Sequence, residues 1–188
     1  MRGACHRYFV FCLLLLLAGC GAKQPPAPPA EPTLPWPSLN VTFADSKWAA
    51  GKIPDGEQCS AAGGHGESPA FLVTNLPNEA AAVEVEFFDL DDPTLNQPGS
   101  LGAYALPATN LLRLYVPSQP GETSRLVEDA VMVRPHAVQK LPAGAYAPPC
   151  AVLSGTPDAR HRYYAIVKAV DAKKQPLAGA LMRLGTNK

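Results

Sequence analysis

Proline and glycine limit the folds open to this chain more than any other feature of its sequence. Its 188 residues include 21 prolines and 15 glycines, which recur along most of the sequence. Both residue types interrupt helices and favour turns. Long stretches with the apolar spacing of a helix are correspondingly scarce. The chain is therefore predicted to be mostly β, with short strands joined by turns and long functional loops.

Six segments have the composition of strands, with Pro, Gly or Asn at their ends. In one of them, AVEVEFF at 82–88, one face is apolar and the other holds two glutamates. Residues 122–133 fit either a helix or a loop followed by a strand, and both alternatives stay open. The predicted strands are 40–48, 71–76, 81–90, 101–106, 110–116 and 161–170.

The first twenty residues have the pattern of an export signal. Arg2 and Arg7 form a basic region before a short apolar run. That run is shorter than the about 20 residues needed to span a bilayer. An Ala-Gly pair then provides a small-residue cleavage site. The cysteine that follows resembles the lipobox of bacterial lipoproteins, which implies a signal peptide at 1–19 and lipidation of Cys20. An ordinary signal peptide or an uncleaved anchor is the alternative.

Residues 20–37 are predicted to connect a membrane anchor to one folded domain at 38–188. Several acyl chains anchor a protein stably, because each buried CH₂ contributes about 0.8 kcal/mol. The proline-rich part, 22–37, favours extended polyproline geometry and would reach about 50 Å. Gly21 in place of aspartate resembles lipoproteins that are sorted to an outer membrane. The expected location is therefore the bacterial cell envelope, at the outer membrane facing the periplasm.

Export also decides which cysteines can pair. Cys5 and Cys12 leave with the signal and Cys20 is lipidated, so Cys59 and Cys150 remain. Disulfides persist in oxidising compartments such as the periplasm. We therefore expect a disulfide between Cys59 and Cys150, with two buried free thiols as the alternative.

Charge and motif content exclude several classes of function. The chain has 16 basic and 16 acidic residues, so losing the two signal arginines leaves a net charge of −2. A chain without a strongly basic face is not expected to bind nucleic acid. His65, His136 and His161 lack the spacing of a recognised metal site, and no serine lies in a G-x-S-x-G setting. No metal, cofactor or enzymatic activity is therefore predicted.

Three stretches hold candidate site residues. A glycine-rich loop at 63–71 contains Ser68 and fits no phosphate-loop motif, because no helix follows it; a flexible surface loop is the plainer interpretation. Asp89 and Asp91 lie two apart at a strand end, so both can point to the same side. Paired carboxylates do acid–base work or bind metal, or simply form a solvated turn. The third stretch, 146–164, contains Pro148, Pro149 and a strand whose alternation places His161 and Tyr163 on one face and Arg162 and Tyr164 on the other.

The order of these stretches resembles the phosphatidylethanolamine-binding protein family, in particular its bacterial Raf-kinase-inhibitor-like branch. The preceding WAAGKIPDGEQC also resembles that branch, and the resemblance covers roughly 41–171. It implies a sandwich of two antiparallel sheets with few short helices and a small anion-binding pocket at one end. Arg162 is a candidate partner for an acid in the 89–92 turn. The implied pocket residues are Asp89, His161 and Tyr163, with Asp91, Ser68, Pro148 and Pro149 at the rim.

The sequence departs from that family in three places. Ser100-Leu101 stands where the family has a His-Trp pair, so one pocket histidine is missing. The residues around Cys150 differ from the usual Gly-Pro-Cys-Pro-Pro. After Asp171 the chain is too short for the usual helix near the pocket plus a final strand. A weakened or re-purposed anion site is expected.

The sequence therefore predicts a non-enzymatic, membrane-anchored periplasmic protein that binds a small anionic or phosphorylated ligand. The alternative is a structural or protein-interaction lipoprotein with a degenerate pocket, whose protein partner is unknown. A hydrolase that uses His161 and Asp89 ranks third. The kinase-inhibitor label of relatives does not carry over, because a periplasmic protein meets no cytosolic kinase.

Overall fold

The structure, a computed structural model, describes residues 27–157 and 159–187. The predicted signal peptide at 1–19 and the predicted lipidation site at Cys20 lie outside these residues. The described chain consists of strands and short 3₁₀ helices, and no helix within it is long and apolar enough to cross a membrane. The prediction of a mostly β fold is confirmed.

The strands form two antiparallel sheets. The small sheet has the order β1-β2-β5, and the large sheet has the order β6-β4-β3-β7-β8. Short 3₁₀ helices span Ser46–Ala50, Ser60–Ala62 and Ala151–Leu153. The strands are β1 (Asn40–Phe43), β2 (Phe71–Thr74), β3 (Ala82–Asp89), β4 (Ala103–Pro107), β5 (Arg113–Val116), β6 (Val131–Arg134), β7 (Arg162–Val170) and β8 (Pro176–Thr186).

Each of the six predicted strands overlaps an observed strand, and the first is shortened the most. β1 ends at Phe43, because Asp45 accepts a hydrogen bond from the Lys47 amide and begins a 3₁₀ helix. The segment 122–133 is a loop followed by a strand, which decides between the two alternatives. β8 was not predicted, and the seventeen residues after Asp171 suffice for this strand even though they are too few for a helix as well.

The main core lies between the two sheets. Apolar side chains from β2 and β5 meet the inward face of β3, β4 and β7, where Val83, Val85 and Phe87 are buried as the alternation predicts. The ring centroids of Phe87 and Tyr146 lie 4.6 Å apart. Period-2 alternation therefore identifies the core-facing side of β3 correctly.

A disulfide joins Cys59 and Cys150, as expected, with their Cα atoms 5.2 Å apart. Each cysteine immediately precedes a 3₁₀ helix, and the Cys59 amide also donates to the Pro149 carbonyl at 3.1 Å. The bond therefore fixes the loop before β2 to the loop before β7. This second loop covers the candidate site described below.

The end of the predicted tether packs on the outer face of the large sheet. Leu34 and Trp36 cover a second apolar cluster that contains Phe88 and Tyr164. Two backbone hydrogen bonds of 2.9 Å hold the chain there. The Gly179 amide donates to the Pro37 carbonyl, and the Gly179 carbonyl accepts from the Leu39 amide. An added Cβ at Gly179 would lie 3.0 Å from the Trp36 ring, so glycine permits this close approach. The tether of about 50 Å predicted for residues 22–37 therefore includes residues that pack on the sheet and do not extend away from it.

Candidate functional site

The centre of the candidate site is a buried pair, Asp89 and His161. Asp89 ends β3 and His161 precedes β7, and these neighbouring antiparallel strands bring the two side chains together. His161 Nδ1 lies 2.6 Å from Asp89 Oδ2, and the two side chains are 0% and 2% exposed. The His161 amide also donates to Asn187 Oδ1 at 2.8 Å. The contact expected from the sequence is therefore present in the structure.

The second ring nitrogen of His161 faces the loop 154–156. Nε2 lies 3.0 Å from the Thr156 carbonyl, 3.3 Å from Ser154 Oγ and 3.4 Å from Thr156 Oγ1. A ring nitrogen that faces a carboxylate or a carbonyl must donate a proton, since neither oxygen carries one. This arrangement therefore favours a ring protonated at both nitrogens, an imidazolium ion.

The pKa shifts agree with this geometry. Burial alone would lower the pKa of His161, but the hydrogen bond to Thr156 and the charge of Asp89 outweigh it and raise the pKa above 6.5. Burial raises the pKa of Asp89, and the charge and hydrogen bond of His161 oppose this shift. The Asp91 amide gives Asp89 a further hydrogen bond at 3.0 Å. The hydrogen-bond geometry therefore favours a pair of imidazolium and carboxylate, in which each group opposes the effect of burial on the other.

Tyr163 brings an unsatisfied hydroxyl to this pair. Its ring stacks on His161 with a centroid separation of 6.2 Å, and the side chain is buried. Burial, followed by the charge of Asp89, raises the pKa of Tyr163. The hydroxyls of Tyr163 and Tyr146 are both buried and make no hydrogen bond of good geometry with the residues that the structure describes, although the Cys150 backbone and the Asp89 carboxylate lie close enough to Tyr163 to shift its pKa. Such groups are rare in folded proteins and cost about 1–3 kcal/mol each.

Arg162 and Asp91 lie on the opposite face of the strand. Arg162 Nε and Nη2 donate to the two Asp91 oxygens at 2.9 and 2.6 Å, and the Arg162 amide donates to Asp91 at 2.8 Å. Burial would raise the pKa of Asp91, but the hydrogen bonds and charge of Arg162 lower it. The expected pairing of Arg162 with an acid of the 89–92 turn is therefore present.

The residues expected at the rim are distributed around the site rather than gathered in one pocket. The Asp91 carboxylate is paired with Arg162. Ser68 is buried, accepts from the Gln119 amide at 2.9 Å and lies 3.2 Å from the Tyr104 hydroxyl. Pro148 is buried near Gly66 and Gly121. Pro149 lines a cavity beyond the covering loop. Their role in ligand binding stays a prediction.

The loop 151–157 separates the buried pair from two open cavities. One cavity, of about 470 Å³, is lined by residues that include Asp92, Lys140 and Gly155. The other, of about 330 Å³, is lined by residues that include Ile53, Pro149 and Val152. Neither of these two cavities is lined by Asp89 or His161. The pair is therefore closed off by the loop in this conformation.

The position of the missing histidine is filled by the fold itself. Leu101 is buried in the main core, and its amide and carbonyl bond to Phe87 and Ala147. The Ser100 hydroxyl donates to the Leu95 carbonyl. The substitution therefore does not open a cavity toward His161 from this side.

Ser154, His161 and Asp89 together have the spacing of a serine–histidine–aspartate relay, which the sequence did not indicate. A relay requires a lone pair on Nε2 that accepts the serine proton. Here Nε2 donates to the Thr156 carbonyl, and Ser154 Oγ accepts from the Thr156 amide at 3.1 Å. In this arrangement Nε2 offers no lone pair to Ser154, and the contacts hold the loop in place. The only sequence signal for these contacts was the turn composition at Ser154-Gly155.

Within 27–157 and 159–187, no group of three His, Cys, Asp or Glu side chains is arranged to hold a metal ion.

The stability of the fold is expected to fall as the pH rises above about 6.5. Below the pKa of an unfolded histidine, His161 is charged in both states and its pairing stabilises the fold fully. That contribution is lost as the pH rises through the raised pKa of the folded state. Urea unfolding of the wild type and of His161→Gln, at pH values between about 6 and 9, measures the effect. Equal pH slopes in the two proteins would contradict it.

Comparison with solved structures identifies the architecture. No family model and no curated protein matches the chain. A phosphatidylethanolamine-binding protein homologue, CT736 of Chlamydia trachomatis, is 20% identical with a TM-score of 0.47, covering 80% of this chain and 97% of that one. YbcL of Escherichia coli, described as a new member of the mammalian PEBP family, is 20% identical with a TM-score of 0.52, covering 80% of this chain and 98% of that one.

The structural match to YbcL agrees with the features already described. The two antiparallel sheets, the few short helices and the Asp89–His161 contact at one end of adjacent strands are those expected from the sequence resemblance. Identity of 20% establishes the fold and leaves the ligand open. The chain therefore has the fold of the phosphatidylethanolamine-binding proteins.

Proposed function

We propose that this protein is a non-enzymatic binding protein of the bacterial cell envelope, anchored through Cys20, that holds a small anionic or phosphorylated group at His161 and Tyr163. The observation that supports this most is the buried His161–Asp89 pair beside the unsatisfied hydroxyl of Tyr163. An imidazolium and a phenol both donate hydrogen bonds, and the carboxylate keeps the ring charged and oriented.

Binding requires the loop 154–157 to move. In the closed conformation the Thr156 carbonyl occupies Nε2 of His161, so a ligand must replace this neutral acceptor. An anionic oxygen forms a stronger hydrogen bond to a charged donor than a carbonyl does. A phosphoryl group can also accept from Tyr163, which removes the cost of its unpaired hydroxyl. These two gains would offset the cost of displacing the loop.

Two further parts of the proposal are supported by different observations. The export pattern and the Cys59–Cys150 disulfide are both consistent with an oxidising compartment outside the cytosol. The absence of a lone pair on Nε2 argues against general-base chemistry at Ser154. We therefore place the protein at the membrane facing the periplasm and expect no turnover, no metal and no cofactor.

A second function, a structural or protein-interaction role with a closed site, is favoured by the exposed apolar edges of both sheets. In the loop before β5, Leu112 is 72% exposed, and on that strand Tyr115 is 54% exposed. On β6, which is the edge strand of the large sheet, Val131 is 59% exposed. Exposed strand edges are surfaces to which another chain can add a strand. This role needs no ligand at His161.

Millimolar phosphate or phosphoethanolamine is expected to raise the melting temperature of the wild type, because a ligand that binds only the folded state stabilises it. Tyr163→Phe is the decisive variant, since it removes only a hydroxyl that makes no hydrogen bond of good geometry with the described residues. We expect this variant to lose most of the ligand-induced shift while its own melting temperature is unchanged or higher. Differential scanning calorimetry measures both quantities.

Tyr115→Phe, on the exposed edge strand, is the matched control and should keep the full shift. A wild-type melting temperature that does not respond to either ligand favours the interaction role. Hydrolysis of ester or phosphate substrates that disappears in Ser154→Ala would show that the protein is an enzyme.

A further inference from the structure

A second anion site is indicated on the face opposite to His161. A cavity of about 360 Å³ opens there between the end of the large sheet and the N-terminal segment. Three arginines face this cavity. Two of them lie on the neighbouring strands β7 and β8, and the third lies just before β7. The lining residues are Pro28, Asp91, Arg160, Arg162 and Arg183.

Arg162 provides a fixed cationic wall for this cavity. Its two hydrogen bonds to Asp91 hold the guanidinium in one orientation, and Nη2 also donates to the Pro29 carbonyl at 3.0 Å. A planar guanidinium held in this way is pre-organised, so little side-chain entropy is lost when an anion arrives. Asp91 is already neutralised by Arg162 and does not repel a second anion strongly.

Arg160 and Arg183 are the two cations that remain available. Both are exposed, and neither makes a hydrogen bond or an ion pair with another residue that the structure describes. Arg183 lies opposite Tyr164 in the β7–β8 pairing, and the Tyr164 hydroxyl is bonded to Glu31. Counting Glu31 and Asp91 against the three arginines still leaves the cavity with an excess positive charge.

We propose that Arg160 and Arg183, beside the fixed Arg162, bind a phosphate-type oxyanion in this cavity. Two guanidinium groups that have no carboxylate partner among the described residues match the planar, bidentate recognition of phosphate oxygens. The group can be a free phosphate or the phosphate of a lipid headgroup, since both present the same oxygens. The site shares no donor with the His161 site and does not depend on it.

The test uses the full chain with Cys20→Ala, so that no lipid anchor contributes to binding. Calorimetric titration with inorganic phosphate and co-sedimentation with phosphatidylcholine vesicles that contain phosphatidylglycerol distinguish the two sources. The double variant Arg160→Gln/Arg183→Gln is expected to weaken binding by on the order of tenfold or more, because it removes two charge-assisted donors. Arg113→Gln, on the exposed edge of the small sheet, is the matched control and should bind as the wild type does.

Loss of phosphate binding in the double variant supports the site with free anions as its ligands. Loss of vesicle binding alone supports it with lipid headgroups as its ligands. Tyr163→Phe should remove only the phosphate binding that depends on the His161 site, and should leave the arginine-dependent phosphate binding and the vesicle binding unchanged. The proposal is overturned if the double variant binds both probes as well as the wild type, if neither probe binds, or if Tyr163→Phe rather than the arginine pair abolishes binding.

Discussion

Replacing Cys59 and Cys150 by alanine is expected to destabilise the fold by about 2–5 kcal/mol, the range found when a native disulfide is removed from a small secreted domain. The two cysteines are 91 residues apart, so the bond closes a long loop and restricts the unfolded chain strongly. Both side chains are buried, and the alanines also leave a small apolar defect. Urea unfolding of the wild type and of the double alanine variant, both without reductant, measures the difference.

Reductant provides the control for this prediction. Dithiothreitol should lower the unfolding midpoint of the wild type and leave that of the double alanine variant unchanged. Two titratable thiols in the unreduced mature protein would show that the bond does not form.

Asp89→Ala is expected to cost about 3–5 kcal/mol, because it leaves the imidazolium of His161 buried without its counter-charge. The pair is almost fully excluded from solvent, and its hydrogen bond is 2.6 Å long. Asp91→Ala is the matched control. Asp91 lies two residues from Asp89, and its carboxylate belongs to a more exposed ion pair, the one with Arg162. Exposed pairs contribute about 0–1 kcal/mol, so this partly exposed control should lose clearly less stability.

The double variant Asp89→Ala/His161→Ala completes a cycle with the single variants. It should be more stable than the sum of the single effects predicts, because it leaves no buried charge alone. Additive effects, or equal losses from Asp89→Ala and Asp91→Ala, would show that the buried pair is not coupled as the geometry indicates.

The sequence predicts those features that follow from local alternation. Faces of a strand alternate with period two, so the apolar face of β3 and the division between His161 and Arg162 can be read directly. The Asp89–His161 contact could be named because the resemblance places both residues at the ends of neighbouring strands. These predictions required only short-range geometry and the order of the motifs.

Features that depend on distant parts of the chain were not predicted. β8 contains Ala and Gly, which are depleted in strands, and it is held by its pairing with β7 along its length. The packing of Leu34 and Trp36 depends on Gly179, far away in the sequence. The loop that closes the candidate site depends on the Cys59–Cys150 bond and on contacts from Thr156 to His161. Local composition carries no record of such partners.

The packing of the N-terminal segment also limits how far the domain can lie from the membrane. Pro29 is bonded to Arg162, so only the residues before it can lengthen the connection to a lipid at the proposed Cys20. Nine residues span at most about 32 Å when fully extended. The domain would then remain within a short radius of the bilayer, with the arginine side of the large sheet nearest to the point of attachment. A segment that looks like a spacer in the sequence would thus also set which face of the protein meets the membrane.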